Sequence, residues 1–155
     1  MKNQLYSFWR SSAAFRVRIA LNLKGLDYEV IPVNIVKSGG AQTAGEYASK
    51  NPNRLVPLYI DGNNTIHQSL AIIEYLEEIQ ANPPLLPQTA IDRAWVRAVA
   101  MDIAIEMHPV NNLRVLRYLM KTLGVSAEAK DTWGQHWMTL GLDSLEKQLG
   151  TDSRV

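Results

Sequence analysis

The sequence predicts a mixed α/β sheet domain followed by an all-helical segment, and three observations carry that prediction. Short runs of strand and helix character alternate over the first eighty residues. The stretch Asn82-Pro83-Pro84-Leu85-Leu86-Pro87 then holds three of the seven prolines and suits neither a helix nor a central strand. Beyond it, apolar residues recur with the helical period alone.

Taken in order, Leu5 to Phe8 reads as a first strand, and a helix follows from Ala14 to Leu23 with Val17, Ala20 and Leu21 on one face. Gly25 stands where the residue after a helix C-cap belongs. Tyr28 to Ile35 is rich in β-branched residues and gives a second strand, which Pro32 assigns to a sheet edge. A helix is expected over 41–49. Leu55 to Ile60 is a third strand with Pro57 inside it. Asp61-Gly62 marks a tight turn into the strand Thr65 to His67. Gln68 to Gln80 is a helix, with Leu70, Ile73 and Leu76 at helical spacing. The order is β-α-β-α-β-β-α over 1–81, with a linker over 82–88. In the helical segment 89–155, Ile91, Trp95, Val99 and Ile103 recur every four residues, and Pro109 is expected to kink or interrupt the helix. Ser126 is placed to cap a last helix, Ala127 to Leu149.

With 155 residues, 46% of them hydrophobic, and a formal net charge of +1, the chain has enough apolar material for a core. Residues 1–80 carry 8 basic and 7 acidic side chains and the remainder 8 and 8, so neither part has the basic excess of a nucleic-acid binder. The absence of cysteine removes disulfides, thiolate metal sites and a cysteine nucleophile. The three histidines, His67, His108 and His136, lack metal-ligand spacing. No secretion signal or membrane-length apolar run is found, so a soluble cytoplasmic protein is expected.

Several residues invite a chemical reading. Pro57 within a strand pattern means either an edge strand or a cis Val56–Pro57 peptide, with the two readings even. Ser11 and Ser12 lie where the first strand hands over to the first helix, suited both to capping and to holding an anion. Gln68-Ser69 opens another helix directly after a strand. Two helix starts with polar donors outline a site for a small acidic molecule. Arg10 is either a solvated surface arginine or a carboxylate clamp. His108-Pro109-Val110-Asn111-Asn112 places polar groups at the expected kink.

The run Phe8-Trp9-Arg10-Ser11-Ser12-Ala13-Ala14-Phe15-Arg16-Val17-Arg18-Ile19-Ala20-Leu21 resembles the signature of the zeta-class glutathione transferases. So do Asn51-Pro52 through Val56-Pro57, the continuous stretch Ile66 to Glu78, and His108 to Leu113. The resemblance implies a thioredoxin-like domain over 1–81 and a partial helical domain over 89–155. It implies glutathione as cofactor, a small carboxylate-bearing substrate and a homodimer. The class includes the maleylacetoacetate and maleylpyruvate isomerases, which use glutathione to convert a maleyl keto acid to its fumaryl isomer. By position in the motifs, Ser11 faces the glutathione sulfur with Ser12 in support, and Val56 beside Pro57 pairs with the cysteinyl part. Gln68 and Ser69 take the γ-glutamyl carboxylate, and Gln42 the glycyl end. Arg10 docks a substrate carboxylate, with His108, Asn111 and Asn112 bordering the substrate pocket. Ala13 stands where the family usually has cysteine, and the chain is expected to be short at its C-terminus. A general conjugating or dehalogenating transferase, or a non-catalytic glutathione-binding module, are the alternatives.

Overall fold

Four strands form one mixed sheet in the order β2-β1-β3-β4, with β1 at Asn3–Ser7, β2 at Tyr28–Pro32, β3 at Leu58–Asp61 and β4 at Asn64–His67. The computed structural model describes residues 2–36, 40 and 45–153. It separates into two compact units, Met1–Leu86 and Pro87–Val155. Strand β1 runs parallel to β2 and antiparallel to β3, and β3 is antiparallel to β4. A βαβ unit and a β-hairpin thus share one sheet, which is the expected thioredoxin-like arrangement. Helices α1 (Ser12–Leu23), α2 (Gly45–Lys50) and α3 (Ser69–Ile79) complete the unit.

The two-residue period of the strands sorts its core. Leu5 and Tyr59, partners across β1 and β3, join Val17, Ala20 and Leu21 of α1 and Ile72 and Leu76 of α3. Leu58, one residue before Tyr59, turns the other way and packs with Val33 and Tyr47. Each fully buried Leu or Ile of this set contributes ~1.5–3 kcal/mol. On α3 the buried residues are Ser69, Ile72 and Leu76. Of the expected stripe Leu76 is buried and Ile73 packs half-buried against the core, while Ile72 is the buried position that periodicity does not single out.

Several boundaries differ from the sequence reading. The second strand ends at Pro32, opposite Ser7, the last residue of β1, and Val33 N–H still donates to Ser7 O at 2.8 Å. The third begins at Leu58, so Pro57 lies just before the strand and not within it. The edge position expected of the Pro32 strand is observed. Helix α1 ends as Gly25 predicts: at φ +64 it donates its N–H to Asn22 O while Leu26 N–H donates to Leu21 O.

Lys24, at the C-cap of α1, is 3% exposed. Its ammonium is hydrogen-bonded to the Glu77 carboxylate of α3 and donates to Pro83 O at 2.8 Å. Glu77 also accepts from the N–H groups of Leu85 (3.0 Å) and Leu86 (3.3 Å). Burial raises the Glu77 pKa, but the Lys24 hydrogen bond, the two backbone N–H groups and the Lys24 charge outweigh it and hold the carboxyl below its ordinary value. One ion pair thus ties α1, α3 and the proline-rich stretch together.

The second unit holds α4 (Ala90–Met101), α5 (Leu113–Lys121) and α6 (Ala127–Thr151). The expected Ser126 cap is present, its Oγ accepting from Ala129 N at 3.1 Å. Between α4 and α5 the helix is interrupted, as expected of Pro109, and the irregular backbone begins ahead of the proline. A six-residue π-helical segment, Asp102–Met107, leads through His108 into a 3-10 turn at Pro109–Asn111.

Met107 is 5% exposed and packs so tightly on α6 that a Cβ at Gly141 would stand 2.1 Å from its Sδ and 2.2 Å from its Cγ. Gly141→Ala gains ~0.8–1 kcal/mol of helix propensity against ~1–3 kcal/mol of overpacking. We expect a net loss of about 1 kcal/mol in urea denaturation. Gly150→Ala, with nothing within 4 Å of its new methyl, is expected to stabilise the same helix. A Gly141→Ala midpoint above that of the wild type would show that Met107 yields freely.

Candidate active site

Strand direction decides which residues meet. Because β1 and β4 run the same way and β3 runs against them, β1 and β4 end, and β3 begins, at one end of the sheet. Tyr6, Leu58 and His67 pair across that end in one row. Just beyond the row lie Arg10-Ser11-Ser12 after β1, Val56-Pro57 before β3, and Gln68-Ser69 after β4. Both α1 and α3 start there, so the N-terminal ends of two helices open at the same end of the sheet.

Ser11 is the N-cap of α1, its Oγ accepting from Ala14 N at 3.2 Å. Its own N–H donates to Phe8 O at 2.9 Å, closing the turn out of β1. Capping uses only an acceptor lone pair, so the hydroxyl proton can still be donated outward. The capping and anion-holding readings of Ser11 are therefore compatible. Ser12, the first residue of α1, is exposed. Arg10 is also exposed in this turn, its guanidinium 5.7 Å from the centre of the Trp9 ring.

The Val56–Pro57 peptide is cis. Pro57 is buried and Val56 half-buried against Val33, Tyr47 and Leu58. The loop leading to them is organised by Asn51, which is 2% exposed. Asn51 Nδ2 donates to Leu55 O at 2.8 Å, its Oδ1 accepts from Asn53 N at 3.2 Å, and the Tyr47 hydroxyl also donates to Leu55 O. Sequence reading places Asn51 in a motif without a role. Its burial next to a loop is what assigns one.

Gln68 has φ +72 and ψ 118 at the N-cap of α3, a conformation side chains other than glycine rarely adopt. Its side chain makes no capping hydrogen bond, so capping does not account for the residue. A strained backbone of this kind costs ~1–3 kcal/mol and persists only where the surrounding structure holds it, which makes Gln68 a candidate for function. Ser69, the next residue, is buried.

The remaining candidates are Gln42, His108, Asn111 and Asn112. Gln42 is outside the described residues. His108, Asn111 and Asn112 belong to the second unit. Asn112 caps α5 by accepting from Arg114 N at 3.1 Å, and its Nδ2 stands 3.5 Å from His108 Nε2. Asn111 Nδ2 donates to Met107 O at 3.5 Å, and its buried Oδ1 has no hydrogen-bond partner. Among the described residues, no three acidic or histidine side chains stand together as a metal site requires, and no helix is long and apolar enough to cross a membrane.

The polar groups at the sheet end suit a small anionic molecule. There are hydroxyl donors at one helix start, an amide side chain at the other, and backbone between them. Comparison with known proteins identifies the family. Residues 1–78 match the family model of the glutathione S-transferase N-terminal domain. The chain is 50% identical over 145 residues to a probable maleylacetoacetate isomerase of Vibrio cholerae, covering 94% of this chain and 67% of that protein. A solved holo maleyl pyruvate isomerase, described as a bacterial zeta-class glutathione S-transferase, superposes with a TM-score of 0.93 at 41% identity, over 98% of this chain and 71% of that one. A maleylacetoacetate isomerase from Methylobacterium extorquens AM1, solved with malonate and glutathione bound, gives a TM-score of 0.92 at 38% identity, over 97% and 70%. The chain thus spans about two thirds of the length of each.

Proposed function

Because the chain belongs to the glutathione S-transferase family, in the zeta-class line of maleylacetoacetate and maleylpyruvate isomerases, we propose that it isomerises a maleyl keto acid, maleylacetoacetate foremost, with glutathione as cofactor. The observation that carries this reading is the convergence of Ser11, Val56-Pro57 and Gln68-Ser69 at one end of the sheet. When bound, glutathione supplies a thiolate that adds to the activated alkene, allows rotation about what is then a single bond, and leaves unchanged.

Ser11 donates its hydroxyl proton to the sulfur position, with Ser12 in support. An isolated thiol has a pKa near ~8.5 and is only a few per cent ionised at neutral pH. One charge-assisted hydrogen bond worth ~1.5–3 kcal/mol lowers that by about one to two units. The start of α1 adds ~0.3–1 kcal/mol in the same direction. Gln68 and Ser69 hold the γ-glutamyl carboxylate, Val56 pairs through its backbone with the cysteinyl part, and Gln42 meets the glycyl end. Arg10 docks a substrate carboxylate, a task suited to a planar, permanently charged fork. His108, Asn111 and Asn112 border the substrate. In this reading 1–81 is the glutathione-binding domain, 82–88 a linker and 89–155 a partial helical domain, and the enzyme is a cytoplasmic homodimer.

The test is conversion of maleylacetoacetate to its fumaryl isomer by the purified 155-residue protein, with and without glutathione. Turnover only with glutathione is expected. Glutathione binding without turnover would reduce the chain to a binding module, and faster reaction with an α-halo acid would make it a general transferase.

Gln68 supplies a sharper prediction. Gln68→Gly relieves ~1–3 kcal/mol of backbone strain, against ~0.5–1 kcal/mol of added chain entropy. We expect a protein more stable by about 1 kcal/mol that binds glutathione ~10- to 100-fold more weakly, since it lacks a hydrogen bond to a charged group. A variant that gains stability and keeps full affinity would remove Gln68 from the site.

A further inference from the structure

We infer that Arg18 is a positioning residue for the sulfur site, holding the β1–α1 turn in the shape that presents the Ser11 hydroxyl. This role rests on the glutathione reading above. Arg18 lies two helical turns beyond Ser11 and reaches back along α1. Its Nη1 donates to Ser7 Oγ at 2.8 Å, and its Nη2 donates to Trp9 O at 3.4 Å. Ser7 is 3% exposed and ends β1, while Trp9 lies in the turn. Between these two acceptors is Phe8, 8% exposed, whose carbonyl receives the Ser11 N–H. The fork therefore brackets the residue whose carbonyl holds the Ser11 N–H.

The helix side is fixed as well. The guanidinium lies 5.2 Å from the centre of the Phe15 ring, and Phe15 N–H donates to Ser11 O at 2.8 Å. A planar group with donors at two fixed positions is needed to span Ser7 Oγ and Trp9 O together. Lysine, a single charged point on a flexible stem, keeps the charge and loses the span. Misplacement of a reacting group by about 1 Å is enough to cost ~100-fold in rate, so a partial loosening of this turn should be visible in catalysis before it is visible in folding.

Arg18→Lys is expected to bind glutathione within about threefold of wild type, because Gln68, Ser69 and Val56 are untouched. The pKa of the bound thiol, read by ultraviolet thiolate absorbance against pH, should rise by roughly one unit, and kcat at neutral pH should fall about tenfold. The kcat deficit should narrow in alkaline buffer. Ser7→Ala, which removes one acceptor of the same fork, should move both quantities the same way by less, and it decides the matter if Arg18→Lys does not fold. A folded variant whose bound thiol titrates as in wild type overturns the positioning role while leaving the proposed function intact. If wild-type protein itself leaves the thiol pKa at its free value, the Ser11 role fails and the Arg18 role with it.

Discussion

Ser11→Ala is expected to lower kcat/KM ~10- to 100-fold at neutral pH, the equivalent of the ~1.5–3 kcal/mol of a hydrogen bond to a charged sulfur. The same substitution removes the cap on Ala14 N–H and should cost ~1 kcal/mol of stability. The two effects are separable. Ser11→Gly loses the hydroxyl equally, yet glycine at an N-cap costs only a few tenths of a kcal/mol. We therefore expect Ser11→Gly to be nearly as stable as wild type and as slow as Ser11→Ala. The deficit should also shrink above about pH 8.5, where a thiol ionises without help. Steady-state rates across pH, set beside urea denaturation, measure both. Full isomerase activity in either variant would remove Ser11 from the chemistry.

The largest stability effect is expected at Lys24. Its side chain is fully buried against a Glu77 side chain that is 11% exposed. Removing one partner of a buried pair strands the other charge, and Lys24→Ala should cost ~3–5 kcal/mol, a large share of the ~5–15 kcal/mol typical of a folded domain. The pH dependence has a definite sign. Glu77 titrates below its ordinary value in the folded protein. Its contribution is therefore present at neutral pH and is lost as the pH falls through that lowered value, on the acid side of the usual ~4.3. Wild-type protein should lose stability in that window, and Lys24→Ala should show a flatter acid limb. An unfolding free energy for Lys24→Ala within ~1 kcal/mol of wild type would contradict the clamp.

What the sequence discloses depends on whether a feature is local. The α1 end at Gly25 and the Ser126 cap were readable because single residues with known conformational habits mark them. The start of α4 was equally open, since Thr89 Oγ1 accepts from Asp92 N and donates to Asp92 Oδ2, but apolar periodicity alone shows nothing before Ile91. Pro57 could not be resolved, because an edge strand and a cis peptide leave the same mark. The Lys24–Glu77 pair joins positions on different helices, so neither residue announces the other. The positive φ of Gln68 is hidden because glutamine is not a residue from which such a conformation is inferred. The π-helical segment 102–107 leaves no compositional trace, as its defining bonds, such as His108 N–H to Ile103 O, are backbone alone.

The shared origin of α1 and α3 at one end of the sheet has a consequence for how this site can change over evolution. The positive ends of two helices belong to the main chain, and no side-chain replacement that preserves the fold abolishes them. In the proposed site, Ser11, Gln68 and Ser69 can therefore vary one at a time above a floor of residual anion attraction. That floor would reveal itself as weak, sequence-insensitive binding that fades with added salt, so a lineage could exchange its specific contacts without passing through a form blind to its ligand.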